Sequence, residues 1–436
     1  MQKHSTERTC SPSPLPKTPQ RISVSCHGKD NGPAFPGGGA ATGQGGGVLG
    51  IYAKYSAAPP AALKTDLETG EIANAGYDPR MARFERFALQ SAVRRLVPDS
   101  RTAKCLRFRQ KGRDIQIVQS KEHGKASYKG LQTCGSVWSC PVCAAKISER
   151  RRVELQAAIT MHKASGGDVL LATYTNPHYL GDDIGQVLKG QAKALDYLNT
   201  DRASRRLFDD MGCIGQVRAM EVTHGRLRRV NNGWHPHYHV LLFVRSGLDL
   251  VDLRARLFER WHLACVKAGL KPPSLAHGVR LDDGSKAASY ASKWGLESEM
   301  TKGHTKKSTD GETPFDLLRA YLANCDKQAG ALFREFALAF KGKRQLHWSA
   351  RLKKLFGIGE LSDEELANKQ DDKAVLLGTI TLDQWRYVLK VEARTVLLEL
   401  AEQSWEAVAL FLDSIPSDPG IKRYSDKKII DLESQQ

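Results

Sequence analysis

The sequence predicts an α+β fold, and three observations carry that reading. The run DVLLATYTNP at 168–177 is compact, apolar and β-branched, as a strand stopped by Asn176-Pro177 should be. CIGQVRAMEVTH at 213–224 and WHPHYHVLLFV at 234–244 read as two more strands, joined through GRLRRVNNG into a hairpin. The remaining segments carry apolar residues at helical spacing, and from about Thr301 onward the pattern is mostly helical.

Taken in order, residues 1–80 contain SPSPLPKTPQ and GPAFPGGGAATGQGGG, which bury too little apolar surface to offset the cost of ordering, and read as a flexible tail. MARFERFALQSAVRRLV then places Phe84, Phe87, Ala88, Ala92 and Leu96 at helical spacing. Residues 101–150 form a small cysteine-bearing unit, and SERRRVELQAAITMHKAS at 148–165 is a basic amphipathic helix ending near Gly166-Gly167. After the first strand, 186–211 is helical. VLLFV in the third strand is apolar on both faces, which makes that strand central. A helix at 249–269, the short strand GVRLDD and the helix GSKAASYASKWGL follow. Beyond them lie the basic segment FKGKRQLHWSARLKKLFG and a capped helix start at SDEEL. The expected units are therefore a tail (1–80), a helix with the cysteine unit and basic helix (81–160), a core (165–300) and a helical region (301–436).

The 65 Lys+Arg against 48 Asp+Glu give a net charge of +17, a balance that attracts polyanions. Nucleic acid is the first partner this implies. No apolar run of about 18 residues is found, and MQKHSTERTCSPSPLPKTPQ lacks the apolar centre of a secretion signal, so no membrane and a cytoplasmic location are expected. Nine cysteines, an odd number spread unevenly, then read as metal ligands, catalytic groups or buried thiols in preference to disulfides.

Cys134, Cys140 and Cys143 lie in TCGSVWSCPVC, with Cys105 as the nearest fourth candidate. Four thiolates satisfy the tetrahedral preference of a structural Zn2+ ion. Buried reduced thiols are the plain alternative. A redox CxxC is the other, and it would sit at the start of a helix beside a thioredoxin-like strand, which the flanking sequence does not supply.

Side chains two apart on a strand share a face, so His235, His237 and His239 project together. Metal binding outweighs chance alternation for three imidazoles so placed. Glu221 on the preceding strand folds back toward them, although a solvated carboxylate or a partner for Arg218 is an equal reading of that position. His224 is a weaker candidate. Two imidazoles and a carboxylate suit Mg2+ or Mn2+ with open positions, able to polarise a phosphoryl oxygen or activate water.

Fifty residues on, Tyr290 has Lys286 one turn before it and Lys293 one turn after, all on one helix face. Two ammonium groups beside a phenol favour its ionised form and can neutralise a phosphate under attack. Alone, the helix is better read as an ordinary amphipathic helix with a boundary tyrosine and solvated lysines, and its place after a His-rich strand in a basic protein reverses that preference. Basic stretches offer phosphate contacts through Arg226, Arg228, Arg229, Lys341, Lys343 and Arg344, with Trp348 available to stack on a base.

Three segments, in this order, resemble the motifs of the HUH endonucleases, and within them the rolling-circle replication initiator (Rep) proteins of bacterial plasmids: LLATYTNPH at 170–178, HPHYHVLLF at 235–243 and ASYASKW at 288–294. CGSVWSCPVC is similar to the cysteine segment of proteobacterial members. The resemblance implies an HUH-type antiparallel sheet flanked by helices, with the histidine strand central and the tyrosine helix near it. It further implies that His237 and His239, with an acid such as Glu221, hold the divalent ion. Tyr290 would form a 5′-phosphotyrosyl link with single-stranded origin DNA and leave a free 3′ hydroxyl as primer. A host helicase or polymerase is the further partner such a role calls for. Some members carry a glutamate one turn before the tyrosine. Here that position is Lys286, leaving Asp282, Asp283, Glu297 or Glu299 to supply a terminating acid. Relaxases and transposases share this chemistry. A zinc-stabilised DNA-binding regulator and a metal-dependent hydrolase are the rivals from other classes.

Overall fold

The computed structural model describes residues 64–65, 72–73, 79–293, 311–369 and 373–415. In chain order, a two-residue ladder pairs β1 (Lys64–Thr65) with β2 (Ile72–Ala73), followed by α1 (Pro79–Leu96), α2 (Arg101–Lys104), β3 (Ile115–Gln119), β4 (Ala126–Lys129) and α3 (Pro141–Ala164). The central stretch is β5 (Gly167–Tyr174), α4 (Ile184–Thr200), α5 (Arg202–Asp210), β6 (Gly215–His224), β7 (Trp234–Arg245), α6 (Leu250–Lys267), β8 (Val279–Asp282) and α7 (Gly284–Lys293). Then come α8 (Pro314–Asn324), α9 (Lys327–Ala339), β9 (Leu346–Trp348), α10 (Leu352–Leu355), α11 (Asp363–Asn368), β10 (Val375–Ile380), α12 (Leu382–Lys390), α13 (Arg394–Gln403) and α14 (Trp405–Asp413).

The main sheet has five antiparallel strands in the order β8-β5-β7-β6-β9, so the histidine strand is central. Both its faces are covered, and the alternation of β7 explains how. Trp234, Tyr238, Val240, Leu242 and Val244 point into the larger core, with Leu257 and Trp261 of α6 and Leu195 of α4. Leu241 and Phe243 point the other way, onto Leu155, Ala158 and Ile159 of α3, Ala287 and Ala291 of α7, and Leu352 of α10. That second face is apolar only at one end. Continuing the same alternation toward the start of β7 gives His239, His237 and His235, all half-buried. One sheet face thus changes from packed hydrocarbon to a row of imidazoles where the covering helices stop.

The second sheet, β10-β3-β4, brings the start and end of the described chain together. Its core joins Phe87 of α1, Ile115, Ile117 and Tyr128 to Trp385, Val388, Leu397 and Val408.

Three expectations need correction. Phe84 is exposed, and α1 buries Ala82, Phe87, Leu89, Ala92 and Val93 instead. The basic helix starts earlier, at Pro141, because proline at the first helical position follows directly on the cysteine knuckle. The region after Thr301 is mostly helical but also supplies β9 to the edge of the main sheet and β10 to the second, so it is woven into both. Strands of three and six residues inside helical neighbours give little periodic signal. Most of the expected tail, residues 301–310 with TKGHTKK, and Glu297 and Glu299 lie outside the described residues.

Candidate active site

Pairing in the main sheet sets Glu221 directly opposite His237 and Thr173 directly opposite His239. Cross-strand neighbours on one face touch, and these do. Glu221 Oε2 lies 3.3 Å from His239 Nε2 and 3.6 Å from His237 Nε2. Glu221, His237 and His239 form a group able to hold a metal ion, with ligand atoms within 4.8 Å of one another. Donors about 2.1 Å from a common ion stand roughly 3.0 Å apart at octahedral angles and 3.4 Å at tetrahedral ones, so the observed spacings admit an ion after a small contraction. His237 is preset for it. Its Nδ1 is 3.2 Å from the His235 carbonyl, which can only accept, so Nδ1 carries the proton and Nε2 keeps its lone pair. His239 Nδ1 is bonded to Thr173 Oγ1 at 2.9 Å, which orients the second ring. Burial opposes ionisation of Glu221, but His239 and His237 outweigh it and hold the carboxyl well below its ordinary range.

Tyr290 reaches this group from α7. Ala287 and Ala291, both fully buried, let the helix lie close on the sheet, and Tyr290, just before Ala291, packs partly buried at the margin of that region. Its hydroxyl donates to Glu221 Oε1 at 2.6 Å, and its ring centroid is 4.9 Å from that of His239. Lys286 is exposed one turn earlier, and the side chain of Lys293 lies outside the described residues.

His235 is on the predicted face but outside the ligand group. Its ring stacks on His178 at 4.4 Å and 11°, and burial first, then His237, drive its pKa down to about 3. His178 was missed as a site residue because it lies beyond the strand, where parity gives no direction. His224 is buried and its Nδ1 accepts from the Arg226 amide, away from the group.

The basic residues separate into two kinds. Arg226 is committed to Glu312 and Asp326, so its guanidinium braces the hairpin against the C-terminal region instead of facing outward. Arg228 and Arg229 are exposed at the hairpin tip beside Leu227 and Val230. Lys341 and Arg344 are exposed, and Lys343 is half-buried with its carbonyl accepting from Trp138. Trp348 packs at the margin of the cluster behind α7, with the Lys353 ammonium 5.5 Å from its ring centre, and does not stand clear for a base. On α3, Arg151 and Arg152 are held by Glu154, Asp363 and Glu149, so that helix presents less free charge than its sequence implies.

Of the two acids expected near Tyr290 and described, Asp283 caps α7 through Ser285 and Lys286, and Asp282 pairs with Arg280. Glu221 is the carboxylate that touches the phenol.

The four cysteines Cys105, Cys134, Cys140 and Cys143 form a second, buried group. Sulfur separations of 3.6, 3.7 and 3.8 Å match the edge of about 3.8 Å that a tetrahedron with ~2.3 Å zinc–sulfur bonds requires. The cluster can hold a metal ion such as zinc. CPVC opens a helix, and two further cysteines complete the set. Hydrogen bonds from Cys105, Cys134 and Cys140, with the Gly135 amide, hold the Cys143 thiol well below its ordinary value. Gln90 Nε2 and the Ser136 amide donate to Cys140 and Cys134, as outer partners of a thiolate centre do.

The chain thus holds a buried cysteine centre together with a sheet that carries a histidine–glutamate cluster and an apposed tyrosine. Comparison with known proteins gives the family: a model described as "Replication protein" matches residues 127–390, more than half of the chain, and the chain belongs to that family. "Protein rep" of Streptomyces lividans is 27% identical over 351 residues, covering 63% of this chain and 76% of that protein. A protein named "Neomycin resistance protein" in Streptomyces cyanogenus is 26% identical over 219 residues, covering 40% of this chain and 49% of its own length. No solved structure matches. Among the described residues, no helix is long and apolar enough to cross a membrane.

Proposed function

We propose that this protein initiates rolling-circle replication of a plasmid by nicking and rejoining single-stranded origin DNA through Tyr290. The observation that carries the reading is the hydrogen bond of 2.6 Å from the Tyr290 hydroxyl to Glu221, within a group whose other members are His237 and His239. The phenol oxygen attacks phosphorus, the bond from phosphorus to the 3′ oxygen breaks, and that oxygen leaves as a hydroxyl once it takes a proton. The proton of the phenol passes to Glu221 Oε1, its hydrogen-bond acceptor, and the leaving 3′ oxygen takes its proton from water. His237, His239 and Glu221 would hold Mg2+ or Mn2+, which when bound stabilises the charge on the phosphoryl oxygens. The 5′-phosphotyrosine keeps the energy of the broken bond, so rejoining needs no nucleotide. Lys286 and the hairpin arginines Arg228 and Arg229 are suited to neutralise phosphates, and Zn2+ in the cysteine cluster has a structural role. The cell compartment is the cytoplasm, and the further partner is a host helicase, which unwinds the duplex, or a polymerase, which extends the primer.

The test is a labelled single-stranded origin oligonucleotide incubated with Mn2+. Wild type is expected to give a covalent protein–DNA band, and Tyr290→Phe none. An adduct that persists in Tyr290→Phe removes Tyr290 as the nucleophile.

A further inference from the structure

The imidazole row extends past the metal-ligand group. Ring centroids follow at 4.9 Å from His239 to His237, 4.9 Å from His237 to His235, and 4.4 Å from His235 to His178, with Tyr290 at the opposite end. Two devices build the far end. Gln191, fully buried, donates to both Asn176 and the Pro236 carbonyl at 2.7 Å, locking the segment after β5 onto β7. Gly233 adopts a positive φ of 75°, and a Cβ there would come within 3.1 Å of the Tyr179 carbonyl and 3.0 Å of Leu180, so the segment lies tight on the hairpin. Beside it, Tyr179 is 49% exposed, and Lys271 places its ammonium 3.6 Å from the centre of the Tyr179 ring.

We propose that His178 and Tyr179 form a stacking subsite for the nucleotide immediately 5′ of the nick, with Lys271 on its phosphate. The inference rests on the nicking reading above. In-line displacement sends the leaving 3′ oxygen away from the attacking phenol, and Tyr290 stands at one end of the ring row, so the nucleotide that keeps the 3′ hydroxyl lies toward the other. There it meets aromatic rings and a cation, the combination that holds single strands with little regard to sequence.

Wild-type protein is first given a randomised single-stranded 40-mer pool with Mn2+, and the adducts and released 5′ fragments are sequenced to place the nick. A defined oligonucleotide carrying that site is then compared with the same strand made abasic at the nucleotide 5′ of the nick. Removing the base should raise KM roughly 10- to 100-fold. His178→Ala should raise KM for the intact strand by a similar factor, with kcat within about threefold, and the two changes together should cost no more than either alone. His178→Phe, which keeps a ring, should restore KM. Unchanged thermal midpoint and Mn2+ affinity in His178→Ala separate the effect from misfolding or metal loss. Multiplying effects of the variant and the abasic strand overturn the subsite, as does His178→Phe behaving like His178→Ala. Absence of any adduct with wild type overturns the nicking reading itself.

Discussion

The two clusters among the described residues that can hold a metal differ in every physical respect that separates a closed centre from an open one. The cysteine group is buried on all four members and uses four ligands of one kind, leaving no coordination position open. The histidine group is half-buried, has three ligands of two kinds, and has a phenol hydrogen-bonded to one of them. A closed thiolate set contributes its binding energy to folding, whereas an open set leaves positions for a substrate. The cluster that contributes most to stability should therefore contribute least to chemistry.

The largest expected effect tests the closed member. Structural zinc in small thiolate sites is worth about 10–16 kcal/mol, comparable to the ~5–15 kcal/mol that holds a whole domain. Cys143→Ser should therefore lose the bound metal, measured by elemental analysis of the purified protein, and unfold the cysteine unit well below the wild-type melting temperature. A variant that melts like wild type breaks the comparison.

Next comes the open member. Glu221→Gln should weaken Mn2+ binding at least roughly 100-fold, read by titration calorimetry, while the melting temperature stays within a few degrees. If Glu221→Gln instead unfolds the protein as Cys143→Ser does, the two centres are not of different kinds.

The smallest effect sharpens the contrast with acid. His224 lies at the open end of the sheet, and burial first, then Arg226, lower its pKa to about 4. Its folded value is below the unfolded one of about 6.5, so the neutral form is favoured by folding. The stabilisation is complete above about pH 6.5, falls as pH drops through that window, and is gone below about 4, a loss of at most ~3 kcal/mol. In His224→Asn, whose side-chain oxygen can still accept from the Arg226 amide, the urea midpoint should fall less between pH 7 and 4.5 than in wild type. Equal slopes would assign the acid sensitivity elsewhere.

Much of this was legible because strands alternate. Parity alone put His235, His237 and His239 on one face, and the doubly apolar VLLFV marked β7 as central. Parity could not set the register across the hairpin, so the pairing of Glu221 with His237 had to come from the structure. Nor could it decide which histidine leaves the ligand group, since His235 is turned to its stack by His178, a residue of the loop after β5. Exposed-looking charges misled most. Arg226 is tied down by acids 86 and 100 residues away, a distance over which local pattern carries no information. The small strands β9 and β10 escaped for the same reason, since their partners lie far off in the chain.

One element touches both ends of the molecule's chemistry. Helix α3 begins on the cysteine knuckle, continues for 24 residues, or about 36 Å, and ends where His162 donates to the Val244 carbonyl at 2.9 Å. On the way, Leu155, Ala158 and Ile159 lie against the same apolar patch as Ala287 and Ala291 of the tyrosine helix. A fragment beginning at Gly167 would strip that backing, leaving Val169, Leu171 and Phe243 wet and the helix of Tyr290 without its neighbour. The knuckle and the sheet are thus one inheritance, and attempts to trim this protein to a minimal core around the histidine strand must keep at least the chain from Cys105 onward.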